Sequence, residues 1–211
     1  MVTNEKGVTL VTYYADCTPL FFVDTKNKAI GLAHAGWRGT VGRIGEKVLK
    51  TMKENYVTNP QDVKVCIGPA ISKCCYEVDS PVAEKFLELE GRDSSKFVFD
   101  KGEGKYMLDL LECNRQIVVS AGVNPENVVL SDLCKTVVLP LRLGYVGCIL
   151  RKHTLKVVGE KLFNLDAGLM QHNGVELAYF RIKFNEVCHL DYSFRVEVQR
   201  PVTSVQDGNY Q

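Results

Sequence analysis

Apolar and polar positions change rhythm several times along the chain, and each rhythm predicts an element. Residues 7–14, GVTLVTYY, 18–23, TPLFFV, and 28–33, KAIGLA, are dense in β-branched and aromatic side chains, with Asp24-Thr25-Lys26-Asn27 as a turn between the last two. They predict three strands, and if one sheet holds all three, the start of one strand and the end of another can meet at the same rim. From Thr40 the period lengthens. Val41, Ile44, Val48, Leu49 and Met52 recur at helical spacing while Arg43, Glu46, Lys47, Lys50 and Lys53 fill the other side, predicting an amphipathic helix that ends near Asn55.

VKVCIG (63–68) predicts a further buried strand, and Gly68-Pro69 opens a loop over 68–78. Ser80 followed by Pro81 has the form of a helix cap and first position, leading into VAEKFLELE. Another helix is expected over 107–121, carrying Met107, Leu110, Leu111, Ile117 and Val118 on one face and stopping at Gly122, and ENVVLSD (126–132) reads as a strand. Beyond Cys134 the chain is apolar and strand-like but interrupted by Pro140 and glycines, and 198–211 has the composition of a polar tail. Strands and helices alternate without a repeat, so the expected fold is α/β (α+β), one domain with a mixed β-sheet flanked by helices.

A chain of 211 residues can bury one sizeable core. Its 26 lysines and arginines against 25 acidic residues leave a net charge of +1, which gives no electrostatic footprint for nucleic acid or an anionic membrane. The expected partner is a small molecule. No window approaches the ~18 apolar residues of a membrane span, and Met1-Val2-Thr3-Asn4-Glu5-Lys6 lacks the order of a signal peptide, so a cytoplasmic location is expected. Eight cysteines at irregular spacing, some in apolar runs such as Cys66 and Cys148, fit metal or thiol chemistry better than a disulfide framework.

Among them, Cys17 follows Asp16 at the start of one predicted strand, and His34 closes another. A thiolate and an imidazole at one rim suit zinc, which takes sulfur at about 2.3 Å and nitrogen at about 2.0–2.1 Å, although two ligands hold a metal poorly and a third is required. The competing account is a buried cysteine near a hydrogen-bonded structural histidine, the commoner fate of such residues. The stretch HAGWRGT changes the balance: Gly36 and Gly39 let backbone approach a ligand, Trp37 offers a stacking surface, Arg38 supplies a fork suited to phosphate or carboxylate, and a helix starting near Thr40 would add an anion-binding end. Its rival is a glycine turn with a surface arginine. Cys74-Cys75 are also candidate ligands or a reactive pair, but neighbours in a strand point oppositely, so one packed and one facing a pocket is the expectation. His153, His172 and His189 read as structural.

The motifs ADCTPLFFVD, AHAGWRGT, IGPAISKCCYEV, LDLLECNRQIVVSAGV and SDLC resemble, in order and spacing over about residues 1–134, the YfiH-like laccase-domain family, also called multicopper polyphenol oxidase. The resemblance implies an α/β domain whose zinc is held by one cysteine and two histidines beside a pocket for a purine nucleoside and phosphate. It matches Cys17 and His34 to two metal ligands and puts Arg38 where an anion-binding arginine is expected. The family's remaining metal histidine lies in an HG motif upstream of the segment that here begins Met1-Val2-Thr3-Asn4, so the third ligand has no match in this chain. We expect a single YfiH-like domain over 1–211, shortened at its N-terminus or with its site completed by another group. Cys134 is followed by Lys135-Thr136-Val137-Val138 where the family has a CT motif, so 135–211 is expected to be a divergent C-terminal part.

The activity implied is phosphorolysis of adenosine, inosine, guanosine and methylthioadenosine, together with adenosine deamination. The metal at Cys17 and His34 would act at the rim, Arg38, Trp37, Gly36 and Gly39 would bind substrate, and Asp16 would be a proton-transfer partner. Two alternatives stand beside it. One is copper-dependent oxidation of phenols, since thiolate and imidazole also accept copper, although laccase chemistry uses several coppers and the chain has four histidines. The other is a catalytically inactive binding domain.

Overall fold

The computed structural model describes residues 1–14, 16–131 and 134, together with the backbone of the stretches 146–151, 163–172, 175–184 and 191–198. The order is β1 (Val2–Thr3), β2 (Thr9–Tyr14), β3 (Thr18–Asp24), β4 (Ala29–Ala35), α1 (Trp37–Val41), α2 (Ile44–Tyr56), β5 (Val63–Ile67), β6 (Glu77–Asp79), α3 (Ser80–Leu87), β7 (Val98–Gly102), β8 (Lys105–Leu108), α4 (Leu110–Ser120) and β9 (Val128–Leu130). Four strands follow: β10 (Val146–Arg151), β11 (Phe163–His172), β12 (Val175–Phe184) and β13 (Asp191–Val198). The class is α+β, with a mixed sheet flanked by helices.

The central sheet runs β1-β4-β3-β5-β9, antiparallel except for the β5–β9 pair. All seven residues of β3 are buried, because the run TPLFFVD is covered on both faces. Leu20 and Phe22 point to the helices: a Cβ added at Gly45 of α2 would meet Val118 of α4, Leu20 and Phe22. Gly31 lets α2 settle onto β4, since a side chain there would come within 2.9 Å of Val48 and 3.2 Å of the Met52 sulfur. Each large apolar side chain buried in this layer contributes on the order of 1.5–3 kcal/mol. On the opposite face, the buried Tyr14 of β2 donates its hydroxyl proton to the Ala33 carbonyl at 3.0 Å.

The three predicted N-terminal strands form, but not in one sheet. β3 and β4 make a hairpin closed by the buried Asp24, whose carboxylate accepts from the Lys26 and Asn27 amides. β2 instead pairs with β10 at the edge of a second sheet ordered β11-β12-β13-β10-β2. Its apolar run resembles its neighbours' and carries no mark of which sheet it joins.

The helix expected from Thr40 to Asn55 is broken at Arg43, which takes a left-handed conformation (φ 54°) between α1 and α2. α4 starts later than residue 107, at Leu110, because Met107 and Leu108 belong to β8 and Asp109 caps the helix by accepting from the Glu112 amide at 3.0 Å. It ends before Gly122, whose φ of 103° suits the position expected of a helix stop. The β7–β8 hairpin, which with β6 makes a third sheet, is absent from the sequence reading. Its polar alternation over FDKGEGKY resembles a loop, and its stability comes from a second core of Phe86, Phe97, Leu108, Leu110 and Ile117 beneath it. The expectations for His153, His189 and the 198–211 tail fall largely or wholly outside the described residues. No helix among the described residues is long and apolar enough to cross a membrane.

Candidate metal centre

The hairpin register builds the site. Thr18 lies opposite Ala35 and Pro19 opposite His34, so Cys17, one residue before β3, falls opposite Gly36, one residue after β4. Alternation puts Cys17 and Pro19 on the face away from the helices, and His34, across from Pro19, joins them. The absent side chain of Gly36 is the opening between them: a Cβ there would lie 2.9 Å from Cys17 Sγ and 3.9 Å from His34 Nε2. Sulfur and imidazole nitrogen therefore converge around one point at the rim of the central sheet.

The surroundings hold both groups in place. The His34 ring, exposed at the rim, rests against buried Tyr14 with centroids 4.6 Å apart. Cys17 is partly buried, and the adjoining Thr18 hydroxyl is fully buried without a hydrogen-bond partner among the described residues. Asp16 is exposed in a bend, and its carbonyl accepts from the Ile71 amide at 3.0 Å, which ties the 68–76 loop to the rim. Sulfur plus imidazole around a side-chain-free position fits zinc in donor chemistry and in access, as two members of a ligand set. Around these two residues no third histidine, cysteine or carboxylate completes a group among the described residues.

The rest of HAGWRGT divides. Arg38 is exposed, with its guanidinium 4.2 Å from the centroid of the Trp37 ring. Trp37 is partly buried against the second core rather than open as a stacking platform. Gly39 serves packing, because a side chain there would press within 3.0 Å of the His34 carbonyl. The expected helix start at Thr40 is corrected: Thr40 lies inside the five-residue α1, buried, with its hydroxyl accepting from Asn114 at 2.9 Å. No long helix therefore begins there to present an anion-binding end.

The sequence does not single out Tyr76, which lies in IGPAISKCCYEV. Half-buried and packed with Trp37 against the second core, its hydroxyl is pushed above the usual phenol range by burial and by Cys17, with Arg38 opposing. Cys74 and Cys75 also depart from expectation. Residues 73–75 form a turn in which the Cys75 and Tyr76 amides both donate to the Ser72 carbonyl, and the two sulfurs lie 3.3 Å apart instead of diverging. Hydrogen bonding with Cys75 and Cys134 pushes the Cys74 thiol up to about 12.

A thiol and an imidazole gathered at a sheet rim, with an arginine and a tyrosine beside them, define a candidate metal centre of enzyme type. The chain belongs to the multi-copper polyphenol oxidoreductase laccase family, whose model matches residues 1–138. It is 41% identical over 132 residues to purine nucleoside phosphorylase YlmD of Bacillus subtilis, covering 63% of this chain and 47% of that protein. It is 35% identical over 134 residues to an adenosine deaminase from an unknown prokaryotic organism, covering 64% and 51%. The crystal structure of the Bacillus licheniformis protein YfiH superposes with a TM-score of 0.63 at 36% identity, covering 64% of this chain and 51% of that one. The chain thus spans about half the length of the curated relatives it matches.

Proposed function

We propose that this chain carries the catalytic half-site of a zinc-dependent purine nucleoside phosphorylase that also deaminates adenosine. The observation that carries the reading is the meeting of Cys17 Sγ and His34 Nε2 around Gly36; the named activities of its relatives supply the substrate class. Cys17 and His34 would hold one zinc ion, with a third donor from beyond the described residues. The ion, when bound, supplies Lewis acidity and a bound water with a pKa lowered towards ~7.

The chain's own residues then do the following. Arg38 attracts and orients phosphate through its exposed guanidinium, holding it in line with the ribose carbon from which the purine departs. Trp37 keeps that guanidinium over its ring. The Tyr76 hydroxyl, held above the usual phenol range by burial and by Cys17, would be a hydrogen-bond donor to substrate. Asp16, exposed at the bend, is the proton-transfer partner for the departing base. One domain over 1–211 with a divergent 135–211 segment, and a cytoplasmic location, belong to the same proposal.

Incubation of the zinc-loaded chain with adenosine and phosphate is expected to yield adenine and ribose 1-phosphate, with inosine from deamination, and Cys17→Ala and His34→Ala should abolish all three. Absence of product at full metal occupancy would overturn the reading in favour of a binding domain. The family's description supports a second reading, copper-dependent oxidation of phenols. Oxygen consumption with phenolic substrate, measured against copper per chain, decides it: nucleoside turnover with zinc alone and no oxygen uptake with copper removes that reading.

A further inference from the structure

Apart from the rim pair, the described part of the molecule brings one other set of soft ligands together. Cys74, Cys75 and Cys134 place their three sulfurs within 4.8 Å of one another. Cys134 is far in sequence from the adjacent Cys74 and Cys75, and meets them because the backbone returns. Ala70 and Cys134 form an isolated parallel bridge beyond the β5–β9 pair, which brings Cys134 under the 72–76 turn. The turn itself, closed on the Ser72 carbonyl, points the two adjacent thiols the same way. Cys134 is buried, Cys75 half-buried and Cys74 exposed, so the cluster is open on one side only. Lys73, next to Cys74 in sequence, has its ammonium 3.9 Å from the Asp109 carboxylate and 5.6 Å from the Phe99 ring.

We propose that Cys74, Cys75 and Cys134 form a second metal site that takes a single thiophilic d10 ion, Cu+ in preference to Zn2+. Three sulfurs about 2.3 Å from a common centre stand about 4 Å from one another, close to the arrangement already present, so little movement is needed. The donor set selects the metal. Soft thiolates favour Cu+ and Zn2+ over harder ions, and three sulfurs complete a trigonal shell for Cu+ while leaving four-coordinate Zn2+ one ligand short among the described residues. An arrangement that served only packing would bury its thiols, as with Cys113, and would not leave Cys74 exposed and Cys75 half-exposed.

The test uses the full chain, metal-stripped and kept anaerobic, in a Cys17→Ala background so that the rim pair does not contribute. It is titrated with Cu+ against a chromogenic Cu+ chelator and, separately, with Zn2+ against a zinc chelator. The expected result is one Cu+ per chain, with X-ray absorption showing three sulfurs at about 2.3 Å. Adding Cys74→Ser and Cys75→Ser, both in the solvent-facing turn, should weaken Cu+ binding about 100-fold or more while the melting temperature of the apo protein stays unchanged. Adding Cys134→Ala, with folding checked by the same melting curve, should do likewise. Equal Cu+ uptake with and without Cys74 and Cys75, a nitrogen- or oxygen-dominated absorption spectrum, or tighter binding of Zn2+ than of Cu+ would overturn the proposal.

Discussion

Gly31 and Gly36 stand five residues apart in the same hairpin arm, and in each case a side chain would come within 2.9 Å of a neighbour. At Gly31 the neighbour is Val48 in the helix layer; at Gly36 it is the sulfur of Cys17. One gap is filled by packing and the other is kept open at the rim. The middle of the central sheet serves cohesion and its end, on the proposed reading, serves chemistry, so substitutions in the two places should have opposite signatures.

The largest effect belongs to the middle. Phe22→Ala removes a fully buried ring from the layer between β3 and the helices, and chemical denaturation should show a loss of about 3–5 kcal/mol. At the rim, Cys17→Ala should reduce nucleoside phosphorolysis by about 100-fold or more, equivalent to ~2.7 kcal/mol of transition-state stabilisation, with a melting temperature close to wild type. A core-sized loss of stability from Cys17→Ala would break the division between the two regions.

The two glycines sharpen it further. Gly31→Ala should destabilise by about 1–3 kcal/mol through overpacking and leave zinc affinity intact, whereas Gly36→Ala should lower zinc affinity and leave denaturation nearly unchanged. Equilibrium dialysis beside urea unfolding reads both. Smaller still is the cap of α4: Asp109→Ala should cost about 1 kcal/mol, because its carboxylate serves the Glu112 amide.

The smallest effect is electrostatic. Burial works to raise the Glu112 carboxyl, but hydrogen bonds from Arg115 and Gln116 and the charge of Arg115 outweigh it, so its pKa is lowered on folding. A lowered pKa means the contribution is present above the unfolded value of about 4.3 and lost as pH falls through the folded value. Glu112→Gln should therefore cost a few tenths of a kcal/mol near pH 7 and flatten the stability profile below about pH 4.5, measured by urea unfolding across pH.

Much of this was legible in the sequence because its cues are local. TPLFFV and KAIGLA marked the two buried strands, and the turn at Asp24–Asn27 joined them into the hairpin whose register sets Cys17 beside Gly36. Helical spacing located α2, but nothing in it showed the break at Arg43, since a left-handed non-glycine residue is fixed by the junction with α1 and not by its own preference. The pairing of β2 with β10 and the convergence of Cys134 on Cys74 and Cys75 were hidden because each depends on contacts across long stretches of chain. Tyr76 is hidden for the same reason: its closeness to Cys17 follows from the loop's attachment to Asp16 through Ile71.

Whether Cys17 and His34 share one ion is tested most directly by anomalous diffraction at the zinc edge from zinc-loaded crystals. The account predicts a peak beside Gly36, about 2.3 Å from Cys17 Sγ and about 2.0–2.1 Å from His34 Nε2. A zinc peak out of bonding reach of both atoms would contradict it.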